Sequence, residues 1–182
     1  MQAAGLALAA WLGITDLPAP RLATAPPELL ITGAGLDEAA LRAGLRQAGM
    51  RADAALYRRF DAWPPAAPLR SGALALVIAA EDSRSLERLP AGLELGRSAG
   101  GPALVATLPD RGALTRMLAW PLVRRRLDAA VDAGRHRTIG TVIREHAQRI
   151  TVMVRVAGPG RGTTAPTIPQ PRLQAPALPL PP

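Results

Sequence analysis

Few side chains in this 182-residue chain are equipped for chemistry. It has no cysteine and two histidines, His136 and His146. Disulfides, thiolate metal sites and cysteine nucleophiles are therefore excluded, and a histidine-built metal centre lacks ligands. Gly33-Ala34-Gly35 follows an apolar run and invites a dinucleotide reading. That fingerprint needs a third glycine where Glu38 stands, and a carboxylate there repels a pyrophosphate. Glu81 and Asp82 follow the strongest predicted strand, at the end where open α/β sheets place their sites. Adjacent carboxylates share one cation only if the loop turns one of them back, so an acidic loop or helix cap is the plainer role. Ser83 and Ser85 have no histidine in the same predicted domain to activate them. Both histidines fall after it and read as ordinary histidines. No catalytic residue, metal or cofactor is expected.

Charge is the next informative feature. All 22 basic residues are arginine, against 14 acids. Between Arg111 and Arg161, 11 arginines face only Asp128, Asp132 and Glu145, so the whole formal charge of +8 sits in that segment. It could meet RNA, acidic lipid or an acidic protein by long-range attraction, or be a solvated helix face. The aromatic residues are Trp11, Trp63, Trp120, Tyr57 and Phe60, too few for a stacking platform for single-stranded nucleic acid.

Residues 1–14 are apolar and alanine-rich, without the basic start of an export signal and too short to span a bilayer. A short packing helix is expected there, then a stiff linker carrying Pro18, Pro20, Pro26 and Pro27. Apolar runs over 29–32, 73–80 and 103–107, with a weaker one over 52–57, predict strands. Helices are predicted from Asp37 to Gly49, over 85–95, from Asp110 through Met117, and over 122–131, with a fifth strand near 117–120. The alternation predicts a parallel sheet covered on both faces. Residues 137–157 are ambiguous: 138–149 reads as helix, 150–156 as an edge strand. The tail from Gly158 holds eight prolines in 25 residues and reads as extended or disordered. No internal repeat is visible.

The order of elements from 28 to 134 resembles a response-regulator receiver domain. The similarity is carried by residues 27–32 as first strand, 41–49 as first helix, 75–80 as third strand and 102–107 as fourth. Thr107 matches that family's hydroxyl residue, and Trp120-Pro121 matches its Lys-Pro step. The resemblance implies a flavodoxin-like parallel sheet. It also implies a phosphorylation site without its chemistry. Gly33 and Ala34 stand where magnesium ligands belong, Ala79 and Ala80 where the acceptor aspartate belongs, and Trp120 in place of the lysine. Among receivers the chain is most similar to those of amide-responsive antiterminators, through Trp63-Pro64-Pro65 and Pro121-Leu122. Residues 41–60 and 74–83 are similar instead to one lobe of uroporphyrinogen-III synthase, a tetrapyrrole enzyme.

These readings converge on a single α/β domain over 28–134. An apolar arm and linker (1–27) precede it, and a basic connector (135–157) and a disordered tail (158–182) follow. The expected role is a non-catalytic, cytoplasmic signalling module that meets a sensor or regulator protein, or RNA, through Trp120, Arg124, Arg125 and Arg126.

Overall fold

The computed structural model describes residues 10, 13, 15–51, 53–65, 72–79 and 89–157. Among the described residues, eight strands and two helices follow one another as β1 (Arg21–Ala25), β2 (Glu28–Thr32), α1 (Glu38–Gln47), β3 (Leu56–Phe60), β4 (Ala73–Ile78), β5 (Glu94–Ser98), β6 (Gly101–Pro109), α2 (Ala113–Ala133), β7 (Arg137–His146) and β8 (Arg149–Ala157). All eight strands join one sheet in the order β1-β6-β8-β7-β3-β4-β2-β5. Every neighbouring pair is antiparallel.

This corrects the parallel, flavodoxin-like α/β fold and, with it, the receiver-like and two-component reading that such a sheet carried. Two features of the chain explain the difference. First, β2 and β3 do run parallel to each other with α1 crossing between them, as the alternation implies. The later strand β4 then inserts between them, antiparallel to both. The pair β6 and β7 is split by β8 in the same way. Second, the apolar runs are continuous because both faces of the sheet are covered, although by different means.

The helices cover one face. On α1, Leu41 and Leu45 are fully buried against Ile31, Leu56, Leu76 and Ile78. Asp37 caps this helix by accepting the amide of Ala40 at 2.8 Å, and Gly49 ends it at φ +74°. On α2, Thr115, Ala119, Val123 and Leu127 recur every fourth residue and are buried, packing on Leu104, Ala106, Ile143, Val152 and Val154. The opposite face holds a third cluster of Leu30, Tyr57, Ala75, Ala103, Val142 and Met153.

That second face is closed by curling. Only Pro26 and Pro27 separate β1 from β2, yet five strands lie between them in the sheet. Laid flat, the two would stand about 29 Å apart at the usual inter-strand spacing, whereas a two-residue link reaches about 11 Å. The sheet is therefore a curled half-barrel. Ala99 and Gly100 make the equivalent link from β5, at the other edge, to β6. The two links touch: a methyl group on Gly100 would sit 2.8 Å from backbone atoms of Pro26 and Pro27.

The topology also shows a repeat that the sequence hides. A strand, a helix and two strands recur as β2-α1-β3-β4 and β6-α2-β7-β8. The sheet orders β2-β4-β3 and β6-β8-β7 meet where β3 pairs with β7. Residues 135–157, read as a connector, supply β7 and β8 at the centre of the sheet, and the linker preceding residue 28 supplies β1. Of the helix expected over 85–95, residues 85–88 lie outside the described residues and the rest is loop and then strand from Glu94, while the fifth strand expected near 117–120 is part of one uninterrupted helix, α2. Most of residues 1–14 and all of the tail from 158 lie outside the described residues. No helix among those described is long and apolar enough to cross a membrane.

Candidate functional site

Alternation along each strand decides which side chains line the inside of the half-barrel. On β7 these are Val142, Arg144 and His146, set opposite Met153, Thr151 and Arg149 of β8. A two-residue turn, Ala147 and Gln148 with φ +46° and +61°, brings His146 and Arg149 together at the rim. On β3, Tyr57 lies opposite Arg144. On β2, Glu28 lies at the strand's first position, just after the proline link.

The interior is cross-braced by polar contacts between strands far apart in the sheet. Arg144 Nη1 donates to Glu28 Oε1 at 2.7 Å, the Tyr57 hydroxyl to Ser98 Oγ at 3.3 Å, and Arg155 Nη2 to the Gly100 carbonyl at 2.7 Å. Packing around Tyr57, Val142, Met153 and Arg155 leaves a void of only about 10 Å³. Burial, opposed by Arg144, pushes the Glu28 carboxyl above its ordinary value.

Toward the rim the filling stops and two clefts open, one on each side of Arg144 and His146. The larger, about 320 Å³, has Arg51 and Asp53 at its edge and Ala54, Ala55, Val77, Ile78 and Ala79 as apolar wall. Arg51 and Asp53 come from the loop between α1 and β3. The smaller, about 200 Å³, is lined by Pro26, Glu28, Arg149, Thr151 and Met153 as well. Each cleft carries two arginines against one carboxylate, before any charge on His146. Arg144 belongs to both and remains 37% exposed, while its partner Glu28 is 10% exposed.

The residues singled out from sequence lie elsewhere. Gly33 and Ala34 form the turn between β2 and α1, on the side of the sheet that α1 covers. Thr107 is half-buried on the inner face opposite Thr151. Ala80, Glu81, Asp82, Ser83 and Ser85 lie outside the described residues. Trp120 is half-buried against the α2 core, with its ring edge-on to Trp63 at 6.2 Å, and Trp63 Nε1 donates to Asp128 at 2.9 Å. Arg126 donates to the Leu17 carbonyl. Arg124 lies 3.8 Å from Asp128, and Arg125 is exposed. Of the segments likened to a tetrapyrrole-enzyme lobe, the described residues supply α1 and two strands, β3 and β4, of this one continuous sheet, and residues 80–83 lie outside the described residues.

Of the cleft residues, sequence reasoning weighed His146, as an ordinary histidine, and Ala79, as a place where the receiver family's acceptor aspartate is missing. Glu28, Arg51, Arg144 and Arg149 come from four separate places in the chain, so no spacing could have signalled them. Among the described residues, no group of three or more histidine or acidic side chains could hold a metal ion. No family model matches the chain, and no curated protein is significantly similar to it.

Proposed function

We propose that this protein is a non-catalytic binding module for a small amphipathic anion, taken up on the inner rim of the half-barrel. The observation that carries the reading is Arg144, a half-buried guanidinium shared by two clefts. The larger of these joins the cation to a wall of small apolar side chains. A planar guanidinium pairs with a carboxylate through two parallel hydrogen bonds. An apolar wall beside one oriented charge is the usual make-up of a small-molecule pocket. A ligand with a carboxylate head and a compact aliphatic or aromatic body meets both requirements.

The role of Glu28 follows from the same geometry. It neutralises Arg144 in the free protein at a desolvation cost, and burial holds its carboxyl above the ordinary value. An incoming carboxylate takes over the guanidinium while Glu28 accepts a proton or yields one of Arg144's donors. Partner-protein or RNA contact, the alternatives raised by the charge distribution, would draw on Arg124 and Arg125 on the outer helix. The clefts favour a small ligand because they are concave and partly apolar.

Calorimetric titration with a panel of aliphatic and aromatic carboxylates, each matched by its neutral amide, tests the proposal. Carboxylates should bind and amides should not. The Glu28→Gln/Arg144→Gln double variant, which leaves no buried charge unpaired, should bind on the order of tenfold or more weakly. Equal affinity for acid and amide, or full affinity in the double variant, would overturn it.

A further inference from the structure

Asp53 is a member of the larger cleft that a plain carboxylate ligand leaves unexplained. It belongs to the loop between α1 and β3 and lines the cleft together with Arg51 and Arg144. Among the described residues its carboxylate has no ion pair or hydrogen bond, although Arg51 is only two residues away. The loop itself is anchored on both sides. Arg42 Nη1 of α1 donates to the Ala54 carbonyl at 3.0 Å, and the Val77 amide of β4 donates to the Ala55 carbonyl at 2.9 Å. Asp53 is thereby tied to the apolar wall that Ala54, Ala55 and Val77 help to build.

The balance of charge selects the head group. Arg144 already holds Glu28, which leaves Arg51 and Asp53 as opposite charges on the rest of this cleft. A plain carboxylate on Arg144 brings a second negative group into the space that Asp53 shares, and a plain amine meets two guanidinium groups. A dipolar head group suits both ends. Its carboxylate accepts from Arg144, its ammonium donates to Asp53, and it adds no net charge to the cleft.

The wall selects the rest of the molecule. Ala54, Ala55, Val77, Ile78 and Ala79 have no polar side-chain atom. A polar group placed against them loses water without gaining a partner, whereas an aliphatic one gains by burial. The cleft's volume of about 320 Å³ admits a branched aliphatic side chain beside the head group.

We propose that the ligand of this site is an aliphatic α-amino acid, with its carboxylate on Arg144, its ammonium on Asp53 and its side chain on the apolar wall. This rests on the reading of the rim as a carboxylate site and names the class of molecule that the rim takes.

Calorimetric titration of the full chain with leucine, with its deaminated analogue 4-methylpentanoate and with leucinamide tests it. Leucine should bind on the order of tenfold more tightly than 4-methylpentanoate, and leucinamide should not bind. Asp53→Asn should bring leucine down to the affinity of 4-methylpentanoate without weakening the latter, and its thermal melt should match that of the unaltered protein. Asparagine, similar in size to leucine but polar, should bind more weakly than leucine. If 4-methylpentanoate binds as tightly as leucine, the amino-acid proposal is overturned and the carboxylate site stands. Equal loss of both ligands in Asp53→Asn, or tighter binding of a dicarboxylate such as glutarate than of leucine, would also overturn it. Failure of leucine and 4-methylpentanoate alike would overturn the carboxylate site together with it.

Discussion

Arg116 on α2 places Nη2 2.8 Å from Oε2 of Glu145 on β7. The same guanidinium holds Asp110 at 2.5 Å, and Glu145 also accepts from Arg58 of β3 at 3.4 Å. These four side chains are between 12% and 27% exposed. They tie the first turn of α2 to the junction where the two halves of the sheet meet. The hydrogen bond to Asp110, more than any other influence, pushes the Arg116 guanidinium above its ordinary value, so it stays charged at any practical pH. Removing Arg116 takes one charged partner each from Asp110 and Glu145 in a partly desolvated place. Arg116→Ala should therefore cost on the order of 2 kcal/mol, read as a lower midpoint in urea denaturation. A shift no larger than that of an exposed arginine such as Arg125→Ala would show that the network is ornamental to the fold.

Gly100 sits where the two inter-edge links cross. Its φ is +68°, a conformation that L side chains rarely adopt, and an added methyl group would collide with backbone of residues 25–27 rather than with a yielding side chain. The buttress on its carbonyl, Arg155 at 2.7 Å, fixes the loop from the other side. Gly100→Ala should cost about 3 kcal/mol or more, through both strain and overpacking. The neighbouring Gly101, with φ +115° but open space around it, should lose less on the same change, only the backbone part. Equal melting temperatures for the two variants would contradict the crossing of the links.

Pro121 shows how a local rule can misplace an element. Proline inside a helix removes one amide donor and crowds the preceding turn, so a break near 117–122 is the natural inference. Here α2 runs through it. The carbonyl deprived of its partner belongs to Met117, one turn back on the face where Met117 itself is 65% exposed. Water can satisfy that carbonyl, and the buried stripe Ala119, Val123 and Leu127 holds the two halves in one line. Pro121→Ala should accordingly stabilise the protein by about 1–2 kcal/mol, less than the full helix-interior penalty because the site is exposed. Loss of stability instead would mean that the proline ring itself is needed for packing.

The same contrast between local and global signals runs through the rest of the molecule. Asp37 as cap, Gly49 as terminator and the strands over 29–32, 73–80 (which ends at Ile78) and 103–107 were legible because each is set by a few adjacent residues. Whether neighbouring strands run parallel was not. The insertion of β4 between β2 and β3, and of β8 between β6 and β7, depends on partners far apart in sequence. Double-sided burial arises here from curling, and its apolar runs look the same as those of a sheet covered by helices on both faces. β7 and β8 mix both signals: Val142, Arg144 and His146 face the rim while Ile143 faces α2. Their polar inner positions made 137–157 read as peripheral, although they are the arginine and histidine positions of the site. The rim was illegible for the reason that builds it. Glu28 and Arg144 are neighbours only once the proline link has drawn the far edge of the sheet across.

That neighbourhood has a consequence for pH. Burial raises the Glu28 carboxyl above its ordinary value of 4.5, and the attraction of Arg144 offsets this only in part. The folded state therefore holds the Glu28 proton more tightly than the unfolded chain does. The associated stability is fully present below the unfolded value. It declines as pH rises through the window between 4.5 and the raised folded value, and above that window the loss is constant. Glu28→Gln keeps an amide oxygen to accept from Arg144 but has no proton to lose. Its melting temperature should gain on that of the unaltered protein as pH rises from 4 toward neutrality, then keep a fixed lead. Melts recorded across that range in one buffer series read the difference directly. A lead that shrinks with rising pH would mean that the ion pair outweighs desolvation. Glu28 would then be an anchor for Arg144 rather than a counter-ion that a ligand can displace.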